Sequence, residues 1–150
     1  MNVANRFFVD TNVLLYSLDG VNRDKQRRAS EWISFLWSTG SGVLSWQVLH
    51  EFYANATRKL GLETEIARIQ VRRFQSWEPL DTSFALVERA WYWFDSAGLS
   101  YWDGLILAAA ERSGARFLLS EDFQANRHYH DVRIVNPFHL SPKELTQSIN

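Results

Sequence analysis

Phe7-Phe8-Val9-Asp10-Thr11-Asn12-Val13-Leu14-Leu15-Tyr16 is an apolar run broken once, by Asp-Thr-Asn, and resumed at once. Three consecutive apolar residues read as a short buried strand. The apolar residues after the break read as a short helix from about Asn12. A strand that delivers an acid at its carboxyl end and then turns into a helix is how an α/β sheet presents a ligand or metal. Asp10 could simply cap that helix. A bare cap does not account for three polar groups placed together beside a core strand.

The elements that follow alternate. Ala29, Trp32, Ile33 and Leu36 make the apolar stripe of a helix over about 23–38, with Arg23, Lys25, Arg27 and Arg28 outside it. Gly40-Ser41-Gly42 ends it, and Val43-Leu44 is a short buried strand. Ser45 is the N-cap of a helix running to about Leu60 and closed by Gly61, with Val48, Leu49, Phe52, Tyr53 and Ala56 inward. An amphipathic helix covers about 63–76 and stops at Pro79. Asp81 or Thr82 caps a helix to about Ala97, and Ser100 caps another whose Leu105–Ala110 run is apolar nearly all round. Residues 116–119 and 132–135 read as strands, and the polar end from Ser141 is expected to fray. Strands alternating with helices give a three-layer α/β/α fold with a mainly parallel central sheet flanked by helices.

Composition sets the limits. The 150 residues suit one domain spanning 1–150, and 46% hydrophobic residues with 15% aromatics exclude a disordered chain. With no cysteine there is no disulfide scaffold, so a reducing cytoplasm is the simpler location. No apolar run reaches membrane-spanning length, and no secretory leader is evident, so the reading is soluble, cytoplasmic and free of membrane. The net charge of −1 is not that of a basic nucleic-acid binder. Yet Arg58, Arg68, Arg72 and Arg73 fall in one helical region, and acids gathered on a metal would cancel them in the total.

Three further acids stand where they could meet Asp10. Glu51 lies on a polar stripe with Gln47, Asn55 and Arg58, which is also the look of a solvated helix face. Asp103 closes Ser100-Tyr101-Trp102-Asp103, a capping-box pattern, and the helix N-terminus there should hold it ionised. Gly104 is costly inside a helix, which points to a close approach at that turn. Asp122 follows the strand 117–119 as Asp10 follows its own, with Glu121 as the alternative and a plain surface turn as the competitor. Oxygen donors without cysteine call for a hard cation, Mg²⁺ or Mn²⁺.

These stretches together resemble the PIN-domain family, and most closely its small VapC-type toxins of bacterial toxin–antitoxin pairs, over nearly the whole length. The resemblance rests on Phe8-Val9-Asp10-Thr11-Asn12-Val13-Leu14, on Glu51, on Tyr101-Trp102-Asp103-Gly104-Leu105-Ile106-Leu107-Ala108-Ala109-Ala110 and on Leu119-Ser120-Glu121-Asp122-Phe123. It implies a metal-dependent endoribonuclease. Asp10 and Asp103 would be the main ligands of Mg²⁺ or Mn²⁺, with Asp122 and Glu51 completing the acidic pocket. Thr11, Asn12 and Ser120 would support them by hydrogen bonds. RNA would be the substrate, and a homodimer and a cognate antitoxin are the expected partners. The seven tryptophans are a departure that bears on target choice and surface packing.

Two other functions fit part of the pattern. Phosphatases with a nucleophilic aspartate after the first strand resemble Asp-x-Asp there, whereas this chain has Asp10-Thr11-Asn12 and lacks the second acid. A PIN-like RNA-binding module without catalysis would not need all four acids. Phe84-Val87-Trp91-Phe94 and Leu86-Ala90-Trp93-Ala97 are two apolar stripes on one helix, of which one should face the sheet and the other a protein partner. Stacking on nucleic-acid bases is the alternative for the second. His128 and His130 are too few for a zinc site and suit a solvent-facing loop.

Overall fold

A computed structural model describes residues 5–149. Phe7–Val9 forms β1, whose residues are all buried. The chain passes directly into α1 (Thr11–Tyr16), with Asp10 as N-cap. Next come α2 (Arg23–Thr39), β2 (Gly42–Val43), α3 (Trp46–Arg58) and α4 (Thr64–Phe74). After a short 3₁₀ turn, α5 (Phe84–Ala97) and α6 (Tyr101–Arg112) precede β3 (Phe117–Leu119), β4 (His128–Tyr129), β5 (Val132–Val135) and α7 (Pro142–Ile149).

The five strands form one sheet in the order β2-β1-β3-β5-β4. β1 runs parallel to β2 and β3, and β3 parallel to β5; only β4 is antiparallel. Register puts Val9 opposite Leu119 and Leu119 opposite Val135. The carboxyl ends of β1 and β3 therefore open side by side, and the residues after them, Asp10 and Ser120, start from adjacent points.

Aromatic packing holds α2 to the sheet. Phe7 stacks on Phe117 at 5.1 Å and meets Trp32 and Phe35 of α2 at 5.6 and 5.9 Å. Trp32 is fully buried, and its indole donates to the carbonyls of Pro137 and Leu140. That bond ties α2 to the segment leading into α7. Gly40, in the left-handed region at φ 65°, stops α2 as anticipated.

Helix α6 is buried almost all round and packs between β3 and α5. The approach is closest at Gly104, where a Cβ would lie 2.9 Å from the Ala90 carbonyl oxygen. The glycine is there because α5 crosses at that point.

Several expectations need correction. Strand β2 is Gly42–Val43, one residue earlier than expected, and α3 ends at Arg58 rather than near Leu60. The N-cap of α5 is Ser83, not Asp81 or Thr82. Leu80 pairs with the backbone of Leu44 and Trp46, which draws the chain out along the sheet edge and delays the helix. The stretch from Ser141 does not fray. Ser141 and Glu144 cap one another reciprocally, and Leu145 is buried. The loop expected around His128 and His130 is partly strand, since His128 pairs with Arg133. Among the described residues no helix is long and apolar enough to cross a membrane.

Candidate active site

The three polar residues that interrupt the first apolar run each serve a different acid. Asp10 is itself one, and the Thr11 amide donates to its Oδ1 at 2.8 Å. The Thr11 hydroxyl donates to Glu51 Oε2 on α3 at 2.7 Å. The Asn12 side-chain amide donates to Asp122 Oδ2 at 2.9 Å. Helix α1 begins at this point, and its first turn joins its own cap, Asp10, to acids from two other parts of the chain.

Ser120 works from the neighbouring strand end. Its hydroxyl donates to Asp10 Oδ2 at 2.7 Å and accepts from the Asp122 amide at 3.1 Å. Both Asp10 oxygens are thus engaged, and Asp10 and Ser120 are buried. Glu51 is held from the other side by Gln47, whose amide donates to Oε1 at 3.0 Å and reaches the Trp102 carbonyl at 3.3 Å. Asp103 stands in the first turn of α6, where its amide donates to the Ser100 hydroxyl at 3.1 Å.

Electrostatics show that the four acids share one region. Burial pushes the Asp10 carboxyl up to about 7, against the pull of Ser120 and the Thr11 amide, and the charges of Asp122 and Asp103 raise it further. The Asp103 carboxyl is raised first by burial and then by Asp122 and Glu51, opposed by Ser100. Burial leads again at Asp122, with Glu121 and Glu51 raising it and Asn12 and Lys25 opposing. Asp10 and Asp103 are therefore on the same side of the molecule. Although Asp103 stands in the first turn of α6, burial and neighbouring negative charge raise its carboxyl above the ordinary value, working against the helix end.

Lys25 was not among the candidate residues. Its ammonium lies 2.6 Å from Glu121 Oε2 and 3.4 Å from the Tyr16 hydroxyl. Glu121 is thereby occupied, and Asp122 is the member of the pair that faces the other acids. Lys25 lies in a run of cations with Arg23, Arg27 and Arg28, and nothing in its spacing marks it.

Among the described residues no three acids or imidazoles sit at ready-made metal-cluster distances. Neutral groups link them: Thr11 joins Asp10 and Glu51 through its amide and its hydroxyl, and the Ser120 hydroxyl joins the Asp10 carboxylate to the Asp122 backbone amide. The donor chemistry nonetheless fits a hard divalent cation. All four acids offer oxygen, and three are raised in pKa through burial and mutual repulsion, which a bound cation would relieve.

A groove of about 1270 Å³ adjoins this region, with Trp46, Gln47, Glu51, Arg58, Lys59 and Trp102 on its walls. It shares Glu51 with the acids but not Asp10, Asp103 or Asp122, so it runs beside them and not over them.

The family model that matches this chain is the PIN domain, over residues 7–130. The chain belongs to the PIN-domain family. Its mainly parallel sheet with helices around it is the PIN fold, as the resemblance implied. Among solved structures this PIN domain is similar to Mycobacterium tuberculosis VapC20, a sarcin-ricin loop cleaving toxin. That pair gives a TM-score of 0.57 at 20% identity, over 75% of this chain and 86% of the other. It is also similar to a chain of a toxin–antitoxin complex from Klebsiella pneumoniae, with a TM-score of 0.58 at 17% identity, over 89% of this chain and 98% of that one. At these identities the likeness is one of fold. No curated protein sequence matches this PIN domain.

The remaining sequence features fall outside the acidic region. Leu86, Ala90 and Trp93 of α5 are buried, while Phe84, Trp91 and Phe94 are 66%, 51% and 57% exposed. Trp93 therefore belongs to the core stripe, where its indole donates to Glu111 at 2.6 Å, and cannot report on an interface. His130 rests against Tyr92 and Trp93.

Proposed function

We propose that this chain is a single-domain endoribonuclease that depends on Mg²⁺ or Mn²⁺, and the toxin of a cytoplasmic toxin–antitoxin pair. The observation that carries the reading is the convergence of Asp10, Glu51, Asp103 and Asp122, with Asp10 pushed up to about 7. Uncompensated burial of this kind is costly, and it is common where a site is built for a ligand. Membership of the PIN family and the fold shared with VapC20 support the choice of RNA.

Asp10 and Asp103 would be the main ligands, with Asp122 and Glu51 completing the set directly or through water. The bound cation supplies an activated water and stabilises negative charge at a phosphodiester. The chain's own residues do the positioning. Ser120 and the Thr11 amide fix both Asp10 oxygens, so that carboxylate has one orientation. Thr11 and Gln47 do the same for Glu51, and Asn12 turns Asp122 inward. Such supporting hydrogen bonds orient ligands and tune their basicity.

A homodimer and an antitoxin that covers the acidic region complete the proposal. The exposed Phe84-Trp91-Phe94 stripe on α5 is the surface that best suits a second copy. The phosphatase reading is disfavoured because Asn12, in the place of the second acid, is committed to Asp122.

The test is incubation of the purified protein with total RNA, with and without chelator, followed by mapping of new ends. Cleavage that needs Mg²⁺ or Mn²⁺ and is lost in Asp103→Asn is the expected result. Intact RNA under all conditions, with turnover of a small phosphoester instead, would overturn it.

A further inference from the structure

Trp102 is 62% exposed although it immediately precedes Asp103, and its own carbonyl accepts from the Gln47 side-chain amide, which also donates to Glu51. A large indole is thus left bare at the end of the groove nearest the acids. Trp46 stands on α3 along the same groove, its indole 5.9 Å from the His50 ring at a tilt of 34°. Farther along α3 are Arg58 and, just beyond the helix, Lys59. Both are exposed, and among the described residues neither pairs with a carboxylate. Arg58 donates only to the neutral Asn55 side chain, at 3.3 Å. Asp81 also lines the groove.

We propose that this groove is the track of a single-stranded RNA segment flanking the bond that is cut. A base stacks on Trp102, Trp46 offers a second platform, and Arg58 and Lys59 take backbone phosphates. The proposal deepens the ribonuclease reading and rests on it.

Three physical points favour this occupant. An exposed indole, Trp102, with the half-buried Trp46 and unpaired cations beside it, is the combination that binds single strands, since every base has a face to stack and every linkage a charge to meet. A volume of about 1270 Å³ exceeds that of ordinary small-ligand sites, which hold roughly 300–1000 Å³. Duplex RNA keeps its bases stacked on one another, so it cannot use the Trp102 face without being opened.

Binding is measured in an Asp10→Asn background, so that RNA stays intact, by fluorescence anisotropy of labelled RNAs. The probes are a short single strand and a duplex of the same composition. The single strand is expected to bind more tightly than the duplex. Trp102→Ala should weaken single-strand binding about ten-fold and Trp102→Phe should recover most of it, as stacking requires. Arg58→Ala with Lys59→Ala should weaken all sequences alike and lower the logarithmic salt dependence by roughly 0.7 for each phosphate no longer neutralised. Circular dichroism controls for folding, which these exposed positions should not disturb.

The proposal is overturned if Trp102→Ala and the double variant bind the single strand as their parent does, or if the duplex binds equally well. Unchanged RNA binding would leave a peptide partner as the groove's occupant. Cleavage by protein with Asp10 intact separates the two claims. Active protein with Trp102-independent binding sinks the groove alone, and inert protein sinks the nuclease reading.

Discussion

The Thr11 hydroxyl donates to Glu51 Oε2 at 2.7 Å, joining residues 40 apart in the chain. Because the Thr11 amide also holds Asp10, one buried residue ties a strand-end acid to an acid on α3. Thr11→Val keeps the shape and removes the donor. RNA cleavage should fall about 10–100-fold with the circular dichroism unchanged, the usual cost of losing a bond that orients a ligand. Thr11→Ser should restore most of the rate. Full activity in Thr11→Val would show that Glu51 needs no such support.

Asp10→Asn removes the buried charge while leaving a group that both Ser120 and the Thr11 amide can bond. Cleavage should disappear, yet the metal-free protein should gain stability on the order of 2 kcal/mol near neutral pH, since burying an uncompensated carboxylate is costly. Denaturant unfolding reads this directly. A variant less stable than its parent would mean that Asp10 is structural.

Asp10 also sets a pH dependence. Its carboxyl titrates at about 7 in the folded protein, against an ordinary value of 3.8. Between those values the folded chain holds a proton that the unfolded chain has released, so stability falls as pH rises through this window. Asp103 and Asp122 shift in the same direction and add to the trend. The metal-free Tm of the parent minus that of Asp10→Asn should decline from pH 5 to pH 8. Added Mg²⁺ should raise the parent's Tm more at pH 8 than at pH 5, because only ionised acids bind it. A difference that is flat with pH would refute the assigned environment of Asp10.

Gly104→Ala tests the α5–α6 contact. Alanine is the better helix former by about 1 kcal/mol, but its Cβ would press on the Ala90 backbone at 2.9 Å. Overpacking of this kind costs about 1–3 kcal/mol, so net destabilisation is expected in denaturant unfolding. A stabilised variant would mean that α5 yields easily.

Trp91→Glu places a charge in the exposed stripe of α5 and leaves the core stripe alone. Sedimentation should show a parental dimer shifted toward monomer. A parent that is monomeric, or a variant whose dimer persists, would remove α5 from the interface.

Much of the fold could be read from local pattern. β1 and β3 are short apolar runs, β5 is apolar but for Arg133, and Ser45 and Ser100 cap their helices as their positions suggested. What escaped depends on partners distant in the chain. Asp81, Thr82 and Ser83 are equally able to cap α5, and Leu80's pairing with the backbone of Leu44 and Trp46, just after β2, makes the choice. Strand β4 exists only through its pairing with β5. The capping box of α7 was visible as Ser141-x-x-Glu144, but its polar composition masked it. In the acidic region the residue types stood out, whereas the division of Asp10, Thr11 and Asn12 among three acids did not. Those bonds span 40 and 110 residues, which no local spacing encodes.

The central claim is that Asp10, Asp103 and their neighbours hold a divalent cation. Titration of Mn²⁺ into the purified protein, followed by its electron paramagnetic resonance signal near pH 7.5, tests it most directly. Saturable binding in the parent, weakened at least about ten-fold in both Asp10→Asn and Asp103→Asn, is the predicted result. Absence of saturable binding, or equal binding by parent and variants, would contradict the account.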